Sequence, residues 1–318
     1  MILTDQFKIK NRKIIIQLLF FLFIRIVCNL ILEIVGMPDF DKYIAYSAAR
    51  SILAYKSQEE LHSLWLDFKI KEQPNDLAYA ILKNVPIKPA FFHNERTNAQ
   101  AFIYKKDNIL YITVRGAQNH CDIVIDSDTE LQNIFPNTNT NIFIQRGLRQ
   151  QFFSLESFFR KEINKYIEYI DTIHFAGHSF GGAIATIASA YYGHLFKDTH
   201  KKLIKIINHT FGSPRIGNTY FVSWCKKYID ENVRITNEYD VVPNFPFSWR
   251  YVHGSDSFTL NDTNDMKTTG ELQWYWRILL QPPTIEYNEP IPYHSCILYL
   301  KRILHLTDNT MDIQSILP

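Results

Sequence analysis

The sequence predicts an α/β fold in which a mostly parallel central sheet is flanked by helices. Short apolar runs of strand length alternate with longer stretches of helical periodicity from residue 100 onward. That order is typical of parallel strands covered by their crossover helices. One apolar run, residues 173–176, leads directly into a glycine-flanked serine and then into an alanine-rich stretch. This succession indicates a strand, a tight turn and a helix.

Composition limits the class of protein. The chain has 318 residues and is 46% hydrophobic, which is enough to bury a sizeable core and speaks against disorder. Its net charge of +2 gives no reason to expect a nucleic-acid partner. The four cysteines are widely spaced, so they form no metal-ligand pattern and imply no disulfide framework.

Residues 1–36 form a hydrophobic N-terminal segment with three interpretations. Basic residues before the apolar stretch fit a secretory signal, although no small-residue cleavage site follows. The length of residues 14–36 fits a membrane anchor, but Arg25 would cost about 2.5–3.5 kcal/mol in a bilayer. A helix packed on the protein body is the third interpretation. Localisation therefore stays open between a membrane-associated or secreted protein and a cytoplasmic one.

Residues 37–318 are predicted to be a single domain. The pair of strands 100–105 and 109–114 is expected to form a hairpin through Lys106-Asp107-Asn108. Apolar residues at spacings of three and four predict a long amphipathic helix over 148–170. The other predicted elements are helices at 44–55, 59–66 and 297–306 and strands at 173–176, 203–207 and 233–236.

The pattern Gly177-x-Ser179-x-Gly181 between the strand and the helix is a nucleophile elbow in its required context. Small neighbours let the backbone turn sharply, so that the serine side chain projects at the carboxyl end of the sheet. The helix that follows aims backbone N–H groups at a negative charge forming there. A glycine-rich turn with an exposed serine is the plain alternative.

A serine nucleophile needs a base, and the base needs an orienting acid at the end of a later strand. Asp240 follows the strand 233–236, whereas Asp230 and Glu231 are expected to precede it, at the wrong end. Among the late histidines, His294 stands on a loop just before a helix. We favour it as the base over His253, and His305 is predicted to lie inside the helix.

An ester-cleaving site also needs two donors for the oxyanion. One is the N–H of Phe180, directly after the serine, and the other is expected from the loop after an early strand. Arg115-Gly116-Ala117 follows the strand 109–114, so Ala117 is the second candidate.

Several blocks in order make the chain resemble the class 3 lipase family, the fungal triacylglycerol lipase-like branch of the α/β hydrolases, over residues 99–299. The resemblance implies the α/β-hydrolase fold, with Ser179 as nucleophile, Asp240 as acid and His294 as base, and a structural place for His253. The blocks are Val114-Arg115-Gly116, Gln145-Arg146-Gly147-Leu148, Gly177-His178-Ser179-Phe180-Gly181-Gly182, Thr210-Phe211-Gly212-Ser213-Pro214-Arg215-Ile216-Gly217-Asn218, Asn237-Glu238-Tyr239-Asp240-Val241-Val242-Pro243 and Tyr293-His294.

The sequence departs from the family pattern in two places. Ala117 stands where the family usually has Ser or Thr, whose hydroxyl Asp126 would orient, so we expect a competent but slow enzyme. The expected lid, residues 118–130, lacks a large aromatic anchor, and we expect weak activation at a lipid interface.

The predicted function is a serine hydrolase that cleaves carboxylic esters through an acyl-enzyme, with glycerolipid esters as the favoured substrates. Neither a metal nor an organic cofactor is expected. A lipid or other ester is the expected partner, and a membrane surface is a second candidate partner. Residues 272–276 could line an acyl pocket or form a core helix. The alternatives are a non-lipid esterase or phospholipase of the same fold, and a non-catalytic hydrolase-like binding or scaffold protein.

Overall fold

An eight-stranded sheet forms the centre of the structure, a computed structural model that describes residues 42–66, 89–117, 129–136, 138–200, 203–253, 255, 257–261, 266–269 and 292–306. Its strands, in spatial order, are β1, β2, β3, β6, β7, β8, β9 and β10. A separate two-stranded sheet pairs β4 with β5. In chain order the strands are β1 Ala90–Asn94, β2 Ala99–Lys106, β3 Ile109–Val114, β4 Leu131–Asn133, β5 Phe143–Gln145, β6 Thr172–His178, β7 Lys205–Phe211, β8 Glu231–Asn237, β9 Ser257–Leu260 and β10 Met266–Thr269.

The middle of the sheet is parallel and its edges are antiparallel. Strands β3, β6, β7, β8 and β9 pair in parallel, whereas β1 with β2, β2 with β3, and β9 with β10 pair antiparallel. Every residue of β6 is buried, as expected for a central parallel strand covered on both faces. The predicted α/β-hydrolase fold with a mostly parallel sheet is confirmed.

Helices cover both faces of the sheet. Side chains of β6 alternate: His174 contacts Ser47 on α1, and Phe175 stacks on Tyr192 of α4. Helices α1 and α6 pack together on the first face, and α3, α4 and α5 pack on the second. The helices are α1 Lys42–Leu53, α2 Gln58–Leu66, α3 Arg146–Tyr166, α4 Phe180–His194, α5 Thr219–Tyr228 and α6 Cys296–Leu306.

The amphipathic prediction for the long helix is confirmed. Leu148, Phe152, Leu155, Phe159 and Ile163 of α3 are all buried, because spacings of three and four keep them on one stripe. The helix ends at Tyr166, and the remaining predicted turn is a 3₁₀ turn at Ile167–Tyr169.

Some predicted boundaries are wrong for reasons that burial explains. Strand β7 begins only at Lys205, not at Leu203 as predicted. Leu203 is apolar, but it is 93% exposed and lies in the connection before the strand. Glu231, expected before a strand, is the first residue of β8. Tyr55 lies in a turn after α1. Strands β1, β4, β5, β9 and β10 and helix α5 were not predicted.

All described residues belong to one compact unit, Asp41–Pro318. Predictions for residues 1–36, for 118–128 of the expected lid including Asp126, and for 272–276 lie outside the described residues. The proposed boundary at residue 36 stays a prediction. Within the described ranges, no helix combines the length and hydropathy needed to cross a bilayer.

Candidate active site

The carboxyl ends of the parallel strands bring the candidate residues to one edge of the sheet. Strand β3 leads into Ala117, β6 into Ser179 and β8 into Asp240. Parallel strands end on the same side of a sheet, so these three loops lie at the same edge, with the end of β7 between those of β6 and β8. His294 reaches the same edge from the 3₁₀ turn Pro292–His294, immediately before α6.

Ser179 occupies the sharp turn between β6 and α4. Its backbone has φ 59° and ψ −132°, a strained conformation for a residue with a side chain. The turn is held by the Ser179 N–H, which donates to Phe211 O at 2.8 Å. A Cβ on Gly181 would lie 2.3 Å from Val114 O, so only glycine fits there. Ser179 has no exposed surface, and its Oγ makes no hydrogen bond to any residue in the described ranges.

His294 and Asp240 form a buried hydrogen-bonded pair. The distance between His294 Nδ1 and Asp240 Oδ2 is 2.7 Å, and the side chains are 1% and 0% exposed. A carboxylate at this distance requires Nδ1 to carry the proton, because carboxylate oxygens only accept. In the neutral ring, Nε2 is then the basic nitrogen, which is the tautomer a general base needs.

Two further groups hold the carboxylate of Asp240. The Val242 N–H donates to Oδ1 at 2.9 Å, and the Tyr299 hydroxyl donates to Oδ2 at 2.6 Å. Burial, and next the charge of Asp240, raise the pKa of Tyr299 well above its ordinary value, so the phenol remains a donor. The Asn237 N–H donates in turn to the Tyr299 oxygen at 2.9 Å.

Gly212 lies directly against this pair. It has φ 61°, and a Cβ built on it would lie 2.9 Å from both Asp240 Oδ2 and His294 Cε1. A side chain here would therefore be strained and would also displace the pair. This contact explains why glycine stands at this position of the Thr210–Asn218 block.

His178, the residue before Ser179, contacts His294 from the other side. Its Nε2 lies 2.7 Å from His294 O, and the two rings are 4.5 Å apart at their centroids. A carbonyl only accepts, so Nε2 donates and the neutral ring presents Nδ1 as an acceptor. The Tyr55 hydroxyl, whose pKa burial raises, lies 2.8 Å from Nδ1 and donates to it. The hydrogen bonds from Tyr55 to His178 and from His178 to His294 O thus connect the elbow to the backbone of the candidate base.

The loop carrying Ala117 packs against the elbow. A Cβ on Gly116 would lie 3.1 Å from Ser179 Cβ. Arg115, just before it, is fixed by hydrogen bonds from Nη1 to Gln100 Oε1 at 2.8 Å and from Nη2 to Asn98 O at 2.7 Å. Phe180 is the first residue of α4, where the N–H groups have no carbonyl one turn earlier within the helix.

The remaining candidates have other partners or are exposed. His253 Nε2 contacts Pro243 O at 2.6 Å, and burial lowers the pKa of this histidine well below its ordinary value. Asp230 Oδ2 accepts from Ile206 N at the opposite edge of the sheet. His305 is exposed on α6. No group of three or more His, Cys, Asp or Glu side chains within the described ranges is arranged to hold a metal ion.

His178, Tyr55 and Tyr299 also contact the site, and none of them is among the residues predicted from the sequence. For His178 a signal existed, because it stands next to the candidate nucleophile on a buried strand. Tyr299 lies five residues after His294, on the inner face of α6. Its contact with Asp240 joins segments 59 residues apart, and no local pattern indicates such a contact.

A comparison with protein families matches residues 111–249 to the model described as Lipase (class 3). This part of the chain is therefore similar to the class 3 lipases. The matched stretch contains Ala117, Ser179 and Asp240, whereas His294 lies beyond it.

Curated relatives align with this chain over short stretches. Toxin TseL of Vibrio cholerae is 30% identical over 44% of this chain and 20% of its own length. Secreted mono- and diacylglycerol lipase 1 of Fusarium solani is 37% identical over 27% of this chain and 24% of its own. Phospholipase A(1) DAD1 of Arabidopsis thaliana is 34% identical over 29% and 21%. The matches therefore span a quarter or less of these relatives.

Solved structures agree on the fold. The triacylglyceride lipase of Rhizomucor miehei superposes with a TM-score of 0.61 at 14% identity, covering 80% of this chain and 96% of that chain. The lipase of Rhizopus microsporus var. chinensis gives 0.55 at 21% identity, covering 69% and 73%. Another solved structure, of a triacylglycerol lipase whose catalytic centre is a serine protease triad, gives 0.58 at 16% identity, covering 80% and 91%.

Proposed function

We propose that this protein is a serine hydrolase that cleaves carboxylic esters, with glycerolipid esters as its substrates. The observation that carries the proposal is the 2.7 Å contact between His294 Nδ1 and Asp240 Oδ2 at the edge of the sheet where the Ser179 elbow also lies. The class 3 lipase match over residues 111–249 supports ester hydrolysis. Relatives that are a mono- and diacylglycerol lipase and a phospholipase A(1) support glycerolipids as the class of ester.

In the first half of the reaction, His294 Nε2 takes the proton of the Ser179 hydroxyl as its oxygen attacks the ester carbonyl carbon. Asp240 holds the ring in this tautomer and stabilises the imidazolium that forms. The tetrahedral oxyanion accepts hydrogen bonds from the N–H groups of Phe180 and Ala117. When the intermediate collapses, the imidazolium gives its proton to the departing alcohol and an acyl-enzyme remains on Ser179.

In the second half, water replaces the alcohol. His294 removes a proton from the water, the resulting hydroxide attacks the acyl carbon, and Ser179 leaves with the proton returned from the imidazolium. The balance is one ester and one water consumed, and one carboxylic acid and one alcohol released. Because Ser179 has no exposed surface, an ester reaches its hydroxyl only when surrounding side chains move aside.

A profile of hydrolysis against acyl chain length tests the proposal. We expect kcat/KM on p-nitrophenyl esters to rise as the acyl chain lengthens, because a lipid-cleaving site gains free energy from each buried methylene, about 0.8 kcal/mol. The variant Ser179→Ala serves as control and should lose the activity. Flat or falling rates with longer chains would contradict the lipid assignment, and undiminished hydrolysis by Ser179→Ala would contradict the nucleophile.

A further inference from the structure

An exposed aromatic loop follows the candidate acid. The aromatic loop, residues 244–250, has the sequence Asn-Phe-Pro-Phe-Ser-Trp-Arg. Trp249 is 86% exposed and Phe247 is 48% exposed. The rings of Phe247 and Phe245 are in edge-to-face contact with centroids 4.2 Å apart. Large apolar rings exposed side by side mark a surface that contacts something apolar.

The aromatic loop is held firmly at its base. Phe245 O accepts from the Arg215 N–H at 2.8 Å, and Pro246 O accepts from Arg215 Nη1 at 3.3 Å. At the end of the loop, Tyr251 N donates to Ser248 O at 3.0 Å. These bonds hold the backbone on both sides of Trp249.

The position of the loop relates it to the candidate active site. Its base adjoins Arg215, three residues after Gly212, which touches both Asp240 and His294. On the other side, the Tyr251 hydroxyl and Arg250 Nη2 donate to Thr129 O at 2.9 and 3.2 Å. The loop therefore lies at the carboxyl edge of the sheet, the edge at which Ser179 also lies.

The charge near the rings indicates which kind of partner the aromatic loop would bind. No carboxylate occurs between Asp240 and Asp256, and Arg250 is the single arginine or lysine of that stretch. Glu130, next to Thr129, forms an ion pair with Arg146. Indole rings favour the headgroup level of a bilayer, where an adjacent guanidinium meets lipid phosphates. We propose that the aromatic loop docks on the surface of a phospholipid bilayer, with Trp249 as its main anchor and Arg250 facing the phosphates.

Binding is measured by sedimentation of the full chain with vesicles of ether-linked phosphatidylcholine, with and without ether-linked phosphatidylglycerol. Ether lipids contain no ester bond, so the result is independent of the proposed hydrolysis. We expect Trp249→Ala to lower the partition coefficient about tenfold and Phe247→Ser to lower it severalfold. Arg250→Gln should remove the extra binding that phosphatidylglycerol provides. Tyr169→Ala, a change at another exposed aromatic residue that lies before β6 at the opposite edge, should bind like the parent.

A second measurement isolates the loop from any other membrane contact of the chain. Vesicles that carry bromine on their acyl chains should quench a fraction of the tryptophan emission in the parent and in Tyr169→Ala, and this fraction should fall in Trp249→Phe. Each variant should keep the parent rate on a soluble short-chain ester, which separates a failure of docking from a failure of the proposed function. Equal quenching and equal partition in parent and Trp249 variants would overturn the proposal. So would loop-dependent dimerisation without vesicle binding, which would make a second copy of the chain the occupant.

Discussion

His178 Nε2 lies 2.7 Å from the main-chain oxygen of His294, so the residue before the candidate nucleophile holds the backbone of the candidate base. The hydrogen bond spans 116 positions of sequence and is buried. It joins the carboxyl end of β6 to the turn before α6, and it sets where the imidazole of His294 stands relative to Ser179. The Tyr55 hydroxyl donates to the other ring nitrogen of His178, Nδ1.

Replacing His178 should therefore impair turnover through position. In His178→Leu, we expect kcat to fall about tenfold or more with KM nearly unchanged, because a small displacement of a catalytic group is costly. Steady-state kinetics on a soluble ester check this. Tyr55→Phe is the matched control, since it removes one hydroxyl but leaves the bond between His178 and His294, and it should retain most of kcat. A parent-like kcat in a folded His178→Leu would exclude the positioning role.

Asp240 should be far more important for turnover than a carboxylate at the other end of the sheet. For Asp240→Asn we expect kcat to fall about 10⁴-fold while the fold is retained, because the amide cannot stabilise the required tautomer and charge of His294. Asp230→Asn, whose parent side chain accepts from Ile206 N, should keep the parent kcat. Comparable losses in both variants would show that the first effect is structural.

The hydroxyl of Tyr299 should support Asp240 without taking part in the chemistry. Tyr299→Phe removes one of the donors to Oδ2, and a hydrogen bond to a charged group contributes about 1.5–3 kcal/mol. We expect a fall of severalfold in kcat/KM together with a lower free energy of unfolding. Tyr293→Phe, a neighbouring aromatic beside Arg302, is the control. The prediction is wrong if the two variants have the same kcat/KM.

Ala117 should limit the rate through a missing donor. Ala117→Ser adds a hydroxyl beside the proposed oxyanion, and one such donor is worth about 2.7–4 kcal/mol in an optimised site. We expect kcat to rise about tenfold, with KM little changed. Ala117→Gly, which keeps the backbone N–H and adds no hydroxyl, should stay near the parent rate. Absence of any gain in Ala117→Ser would count against an oxyanion role for this loop.

Glu231 should make stability depend on pH in the acid range. The hydrogen bond from His209, followed by that from Lys205, lowers the pKa of Glu231 from 4.5 to about 2. Because the folded-state pKa is depressed, the stabilisation is fully present above about pH 4.5 and is lost as pH falls through about 2. The side chain is 41% exposed, so screening limits the effect to about 1 kcal/mol.

Urea denaturation of Glu231→Gln against the parent measures this effect. The difference in free energy of unfolding should be largest above pH 4.5 and should shrink toward pH 2. Glu95→Gln, in an exposed turn, should show no such trend. A difference that stays constant across this pH range would mean that the carboxylate charge is not responsible.

Local patterns were sufficient for the centre of the fold. Strand β6 is buried on both faces and has a largely apolar centre before the glycine-flanked serine, and the stripe of α3 has a clear helical period, so both were predictable. Strands β9 and β10 could not be predicted in this way. Their segments, Ser257–Leu260 and Met266–Thr269, are short and mix polar with apolar residues. Their pairing depends on an existing neighbour strand, which the sequence does not display.

The candidate site was predictable as far as chain order and strand ends could define it. Asp240 could be selected over Asp230 because the acid must follow its strand, and His294 because it precedes a helix. The supporting contacts of Tyr55, His178 and Tyr299 could not be predicted, since each joins segments that are distant in sequence and depends on the packing of α1 and α6 against the sheet.

Covalent labelling with a fluorophosphonate, followed by peptide mapping, tests the central claim most directly. The parent should carry one label, on Ser179, and Asp240→Asn should be labelled much more slowly. Ser179→Ala should remain unlabelled. A folded parent that takes up no label, or a label that maps to another residue, would contradict the assignment of Ser179 as a nucleophile activated by His294 and Asp240.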